Sequence, residues 1–199
     1  MNWDKRQAVV MGGLLVIGLV IALGFLILHK NQAKQPEAQN FNTISDSSTG
    51  LSFNMSKSFK PIPKTELAAM NPGFTYGFVA ENDTQAVCIV SPTTLTKGGT
   101  ITPEQLRDGI LSEVKKVHPD TTLDNAATAA NWAQFGNGQG VLLQLTYGDG
   151  TTKIKRVEII ALGKSKAVQV TAYCQSPATD NQRYYTAFTI FFSSLKLAE

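Results

Sequence analysis

The chain has 199 residues and a formal net charge of +3, a length that allows one membrane anchor and one folded domain. The first 39 residues hold four basic side chains (Lys5, Arg6, Lys30, Lys34) and two acidic ones (Asp4, Glu37), which leaves fourteen basic and thirteen acidic over the rest. That remainder is nearly neutral and has no basic stripe interleaved with aromatics, so nucleic acid is excluded as an expected partner.

After a short tail at residues 1–7, residues 8–28 read AVVMGGLLVIGLVIALGFLIL, without a single charge. Twenty-one residues at helical rise reach about 31 Å, the thickness of a bilayer core. The run is apolar all round, whereas a helix on a soluble core would be amphipathic. It is too long for a signal-peptide core and lacks a small-residue cleavage site, since Asn31 sits two positions before Ala33. No Cys follows it, which excludes lipoprotein processing, and no acidic residue lies within it, which excludes a prepilin-like start. An uncleaved transmembrane signal anchor is therefore expected, with the lipid bilayer as its partner. Basic residues flank both sides, so the charge rule nearly ties. The short N-terminal tail favours a single-pass layout with the C-terminal domain outside the cytoplasm.

Residues 29–49 are polar, lack apolar periodicity and read as a linker. The domain is expected over residues 50–199. Leu51-Ser-Phe53-Asn-Met55 alternates as a half-buried strand does. Phe59, Ile62 and the prolines Pro61 and Pro63 suit an extended edge. Asn71-Pro-Gly73 marks a turn. Strands are expected over 74–80 and 86–90, with a loop from Pro92 to Gly98-Gly99. Thr102-Pro-Glu-Gln105 is a capping box with Pro at the first helical position. Leu106, Ile110, Val114 and Val117 then form the apolar stripe of a helix that ends at His118-Pro119. A strand around Trp132 and a turn over 136–140 follow. Three strands over 141–174 form an antiparallel meander, with Gly148-Asp149-Gly150 as a tight hairpin and Gly163-Lys-Ser165 as the next turn. Residues 151–162 alternate through Ile154, Arg156, Glu158 and Ile160. Val168, Val170, Ala172 and Cys174 share one face of the last strand. After Pro177, Tyr184, Tyr185, Phe188, Phe191, Phe192 and Leu195 recur at helical spacing and predict an aromatic helix that closes the core. The sum is an α+β fold, a central mostly antiparallel sheet flanked by helices and preceded by one transmembrane helix.

In this order the motifs resemble the PsbP-like family. The likeness lies in Gly50-Leu-Ser-Phe53 with prolines close behind, in Thr102-Pro-Glu-Gln105, in the glycine-turned meander, and in Ser176-Pro177 leading to an aromatic helix that ends Phe192-Ser-Ser-Leu195. It covers most of residues 50–197. The sequence departs from the family where a Trp usually follows the first proline; Ile62 or Phe59 is expected to fill that space. The resemblance implies an α/β/α sandwich and a largely non-enzymatic accessory domain that binds another protein at a membrane surface. No functional residue matches one by one, so none is carried over.

Cys88 and Cys174 are the only cysteines. In an oxidising compartment they can form one disulfide, worth roughly 4 kcal/mol by chain entropy; the alternative is a pair of reduced thiols packed as small hydrophobes. His118 is the one histidine away from the anchor, and no Gly-x-Ser-x-Gly elbow accompanies it. Neither a metal nor a cofactor constellation appears, and Asp120 and Asp124 do not follow a calcium-loop spacing. The expectation is a non-catalytic module of the cell envelope with a protein partner at the membrane surface. The alternative is a small-ligand carrier or sensor with a pocket between the sheet and the C-terminal helix, lined by Trp132, Tyr184 and Tyr185. A third reading, a hydrolase built on His118 and nearby acids, ranks last.

Overall fold

The computed structural model describes residues 40–94, 101–135, 138–163 and 168–197. The expected tail, membrane span and first part of the linker lie outside the described residues, as do Gly98-Gly99, Gly136-Asn137 and Lys164-Ser165. Among the described residues no helix is long and apolar enough to cross a membrane.

The folded unit begins at Asn40, ten positions before the expected boundary. Strand β1 (Phe41–Asp46) pairs antiparallel with β2 (Leu51–Ser56) in a hairpin of their own. Residues 41–46 are therefore strand and not linker. Their polarity concealed it, because only Ile44 packs on the core and the backbone ladder holds the rest. Strand β2 follows its alternation, with Leu51, Phe53 and Met55 buried.

The chain then runs through β3 (Phe59–Pro61), α1 (Lys64–Met70), β4 (Tyr76–Ala80) and β5 (Asp83–Thr94). The short helix α1 was not apparent in the sequence, since it buries only Leu67. Helix α2 (Pro103–Val117) has the expected capping box. Thr102 Oγ1 accepts from the Gln105 N–H at 3.3 Å, and the Thr102 N–H donates to Gln105 Oε1 at 3.0 Å. Leu106, Ile110 and Val114 are buried as the stripe predicts, but Val117 is 73 % exposed. It lies in the last turn and lines an open recess instead of packing.

Strands β6 (Thr122–Leu123), β7 (Ala133–Phe135) and β8 (Gly138–Tyr147) come next, then β9 (Ile154–Leu162), β10 (Val168–Pro177) and α3 (Asn181–Ser194). Gly138 and Gly140 belong to β8 and not to the expected turn. The β8–β9 hairpin is also wider than a two-residue turn. Tyr147 pairs with Ile154, and the connection includes one 3-10 turn over Gly150–Thr152. Gly148 and Gly150 supply its positive φ angles of 79° and 49°. The Asp120 carboxylate fixes this loop by accepting the Gly148 N–H.

Among the described residues, eight strands form one antiparallel sheet ordered β3-β4-β5-β10-β9-β8-β6, with β7 also on β8. One face carries α3 and the β1–β2 hairpin. Its core holds Phe53, Phe59, Phe78, Val170, Ala172 and Phe191. Phe53 meets Phe191 edge-on at 5.4 Å and Phe78 at 5.9 Å, contacts worth about 0.5–1.5 kcal/mol each beyond burial. The other face carries α2 over Val141, Leu143, Leu145 and Ile160, and α1 over Val87 and Ile89. Helices on both faces make the α/β/α sandwich. Cys88 of β5 and Cys174 of β10 stand opposite each other, Cα atoms 4.1 Å apart, and form a disulfide within the first core.

Candidate functional site

The two helices on the second face stand over different strands. Helix α1 sits at the β4 side, where bare Gly77 makes room for Leu67, and α2 sits over β8. Between them, among the described residues, a recess opens over β5, β10 and β9, although its floor side chains Ile89, Tyr173 and Glu158 are largely buried. The resulting recess has a volume of about 590 Å³. Pairing registers place its floor in rows. Ser91, Thr171 and Ile160 form one row, and Ile89, Tyr173 and Glu158 the next. Gln175 and Arg156 are paired beyond them. Phe74 stands on one wall, and Leu106, Ile110 and Val114 of α2 on the other.

Glu158 is only 4 % exposed. Its Oε2 accepts from both Nη2 and Nε of Arg156, at 2.8 and 2.9 Å. The guanidinium also lies over the Tyr173 ring, 3.6 Å from its centroid, a cation–π contact strengthened by the dry surroundings. Removing the Glu158 carboxyl from water pushes its pKa up, and the Arg156 charge pulls against that. Burial pushes the Tyr173 phenol up to about 12. It raises Tyr147 as well, with Arg156 opposing. Both phenols stay protonated near neutrality. The Tyr147 hydroxyl donates to Gln175 Oε1 at 2.9 Å.

Ser91 differs from its neighbours. The residue lines the recess, and its Oγ is buried with no hydrogen-bond partner among the described residues. Buried hydroxyls are rarely left so, because the desolvation cost is not recovered. Gly109 is the second unusual residue. It sits mid-helix in α2, lines the recess, and a Cβ there would meet nothing within 4 Å. A helical Gly costs roughly 0.5–1 kcal/mol relative to Ala, and no packing contact in the fold requires it.

His118 lies at the recess end of α2, where its ring stacks on Tyr147 at 4.0 Å. Among the described residues it is not part of a hydrogen-bonded Ser–His–Asp chain. Among the described residues, no three His, Cys, Asp or Glu side chains converge as a metal site.

A second groove, about 530 Å³, lies between α3 and the β8–β9 strands, where the sequence placed a pocket. The three aromatics expected there are not brought together. Tyr185 lines the groove and is 59 % exposed. Tyr184, one helical step of about 100° away, turns into the core. It stacks on Phe188, and its hydroxyl donates to Asp83 Oδ2 at 3.2 Å. Trp132 is 38 % exposed, lies just before β7 and is not among the lining residues.

Arg156 and Glu158 were visible in the sequence only as members of an alternating strand, with nothing to mark them as a pair. Ser91 and Gly109 carried no sequence signal, because their significance depends on the gap between two helices.

No protein-family model matches the chain, and no curated protein does. The solution structure of the cyanobacterial PsbP (CyanoP) from Synechocystis sp. PCC 6803 superposes with a TM-score of 0.63 over 84 % of this chain and 98 % of its own, at 12 % identity. The domain has the PsbP-like fold. LpqN of Mycobacterium tuberculosis, a protein involved in cell envelope biogenesis, also superposes, with a TM-score of 0.57 over 80 % of this chain and 91 % of its own, at 13 % identity. At such identities the likeness speaks to the fold of the PsbP-like domain alone.

Proposed function

We propose that this chain is a single-pass membrane protein holding a non-catalytic PsbP-like domain outside the cytoplasm. There the domain serves as an accessory module that binds a protein or another envelope component. The uncharged run at residues 8–28 supports the tether. The involvement of LpqN in cell envelope biogenesis supports the compartment.

One observation carries the binding reading: the recess has a floor whose charges are spent on each other. Arg156 and Glu158 neutralise one another, and Tyr173 is stacked and protonated. General acid–base or nucleophilic chemistry needs a group poised to give or take a proton. A floor of this kind holds a guest without transforming it. The same recess favours the carrier reading over the α3 groove, because the unpartnered Ser91 hydroxyl lies here.

The test is site-specific photo-crosslinking of the full chain in native membranes. A crosslinker at position 117, where exposed Val117 lines the recess, should give a discrete adduct. One at position 185, on the opposite face, should not. Adducts from position 185 alone would refute the recess as the binding face. Externally added protease should digest the domain on intact cells, and full protection would refute the outside placement.

A further inference from the structure

We infer that the recess between α1 and α2 is a binding site for an uncharged small ligand with an apolar body and a hydroxyl or amide at its buried end. This inference rests on the reading of the recess as the binding face.

Three features fix the ligand class. The first is the floor's charge. Arg156 gives two nitrogens to Glu158 Oε2 and lays its plane on Tyr173, so the pair is already satisfied within the chain. An anionic ligand drawn to Arg156 would meet Glu158, and a cationic one drawn to Glu158 would meet Arg156. Either charge would lose its water without gaining a counter-ion. The second is the hydrogen-bonding chemistry at the bottom. Ser91 Oγ is orphaned, and Thr171 is its cross-strand neighbour on the same face. A hydroxyl or amide can both donate and accept, so it supplies what Ser91 lacks. The third is the shape and apolarity of the walls. Phe74, Ile89, Leu106, Ile110 and Val114 present hydrocarbon, and the lining is bare at Gly109, where a Cβ would meet nothing within 4 Å. About 590 Å³ falls within the usual range of small-molecule sites.

The full chain in lipid nanodiscs is titrated with 1-hexanol, hexanoate and hexylammonium, short enough to stay largely in water. Amide NMR shifts are read at Ser91, Gly109 and Thr171, with Tyr185 as the opposite-face control. Saturable shifts with 1-hexanol at the first three positions are expected. Binding of the two ions should be at least ~10-fold weaker, because their charge is buried unpaired. Ser91→Ala should weaken 1-hexanol by roughly three- to tenfold, the worth of one hydrogen bond, and leave the fold intact, since it replaces an unsatisfied hydroxyl with a methyl. Gly109→Leu should abolish the shifts while keeping the helix, Leu being a strong helix former. Hexanoate or hexylammonium binding as well as hexanol, hexanol binding unmoved by Gly109→Leu, or shifts confined to Tyr185 would each overturn the inference. So would absence of hexanol binding alongside a persistent crosslink from position 117, a result that leaves the docking face standing and removes only the ligand class.

Discussion

Asn125 finishes the outer edge of β8 by bonding its side chain to the backbone around Leu142. Its Nδ2 donates to the Leu142 carbonyl at 2.9 Å, and its Oδ1 accepts the Gln144 N–H at 2.8 Å. The Asp124 N–H reaches the Gln144 carbonyl at 2.8 Å. β6 and β7 cover only the two ends of β8, so a side-chain amide stands in for strand between them. An uncovered edge there would be a template for pairing with another chain. Asn125→Ala should cost about 1–3 kcal/mol, two modest hydrogen bonds, and raise the tendency to aggregate. Urea unfolding should show a lower midpoint at unchanged m-value. An unchanged midpoint would mean that water serves the edge equally well.

The Arg156–Glu158 pair makes a pH prediction with a definite sign. Burial raises the Glu158 pKa above its unfolded value of roughly 4.3. Between those two values the folded state binds more protons than the unfolded one, so stability falls as pH rises. The contribution is complete below the unfolded pKa and lost as pH climbs through the folded one. Asp46 acts oppositely: the Ser48 hydroxyl and N–H hold its pKa far below normal, so its contribution is present above the unfolded value of roughly 3.9 and is lost progressively as pH falls below it. Comparison with Glu158→Gln isolates the first effect. Relative to that variant, the native chain should gain stability on going from pH 7 to about pH 4.5. Arg156→Ala leaves the carboxylate alone in the interior and should cost about 3–5 kcal/mol at pH 7. Parallel curves for native and Glu158→Gln proteins would show that Glu158 keeps an ordinary pKa.

The parts of the fold that depend on local chemistry could be read from the chain. Thr102, Pro103 and Gln105 define the start of α2 by their own hydrogen bonding, and the alternation of β9 follows from the strand period. The aromatic spacing of α3 needs only the helical step. Other parts are set by partners distant in sequence. β1 is polar at Asn42, Thr43 and Ser45, and only its ladder with β2 makes it a strand. The pairing of Cys88 with Cys174 follows from the β5–β10 register, which the sequence leaves open. Tyr184 and Tyr185 are adjacent and equally aromatic, yet one closes the core and one faces water. The recess was illegible because it is a gap, defined by how far α1 and α2 stand apart.

The disulfide should behave as a lock on the unfolded chain. Its cysteines are 86 positions apart, so closing the loop is worth about 4 kcal/mol. Both are at most 1 % exposed, so a reductant should reach them only through unfolding. Reagent thiols added to the native protein should release no free cysteine, whereas the same reagents in guanidinium should release both. The double Cys88→Ala, Cys174→Ala variant should unfold at markedly lower denaturant. Rapid reduction under native conditions would instead reveal frequent opening between β5 and β10.

Two glycines separate the needs of folding from those of the recess. At Gly140 a Cβ would overlap the Ile160 carbonyl oxygen of the neighbouring strand. The strands must then spread, and the cost should be about 1–3 kcal/mol, as for other overpacked positions. At Gly109 a Cβ meets open space, so Gly109→Ala should stabilise the domain by about 0.5–1 kcal/mol through helix propensity alone. Thermal unfolding of the two alanine variants should therefore move the midpoint in opposite directions. If Gly109→Ala were destabilising, the glycine would be serving the fold, and its use as clearance for a guest would lose its physical basis.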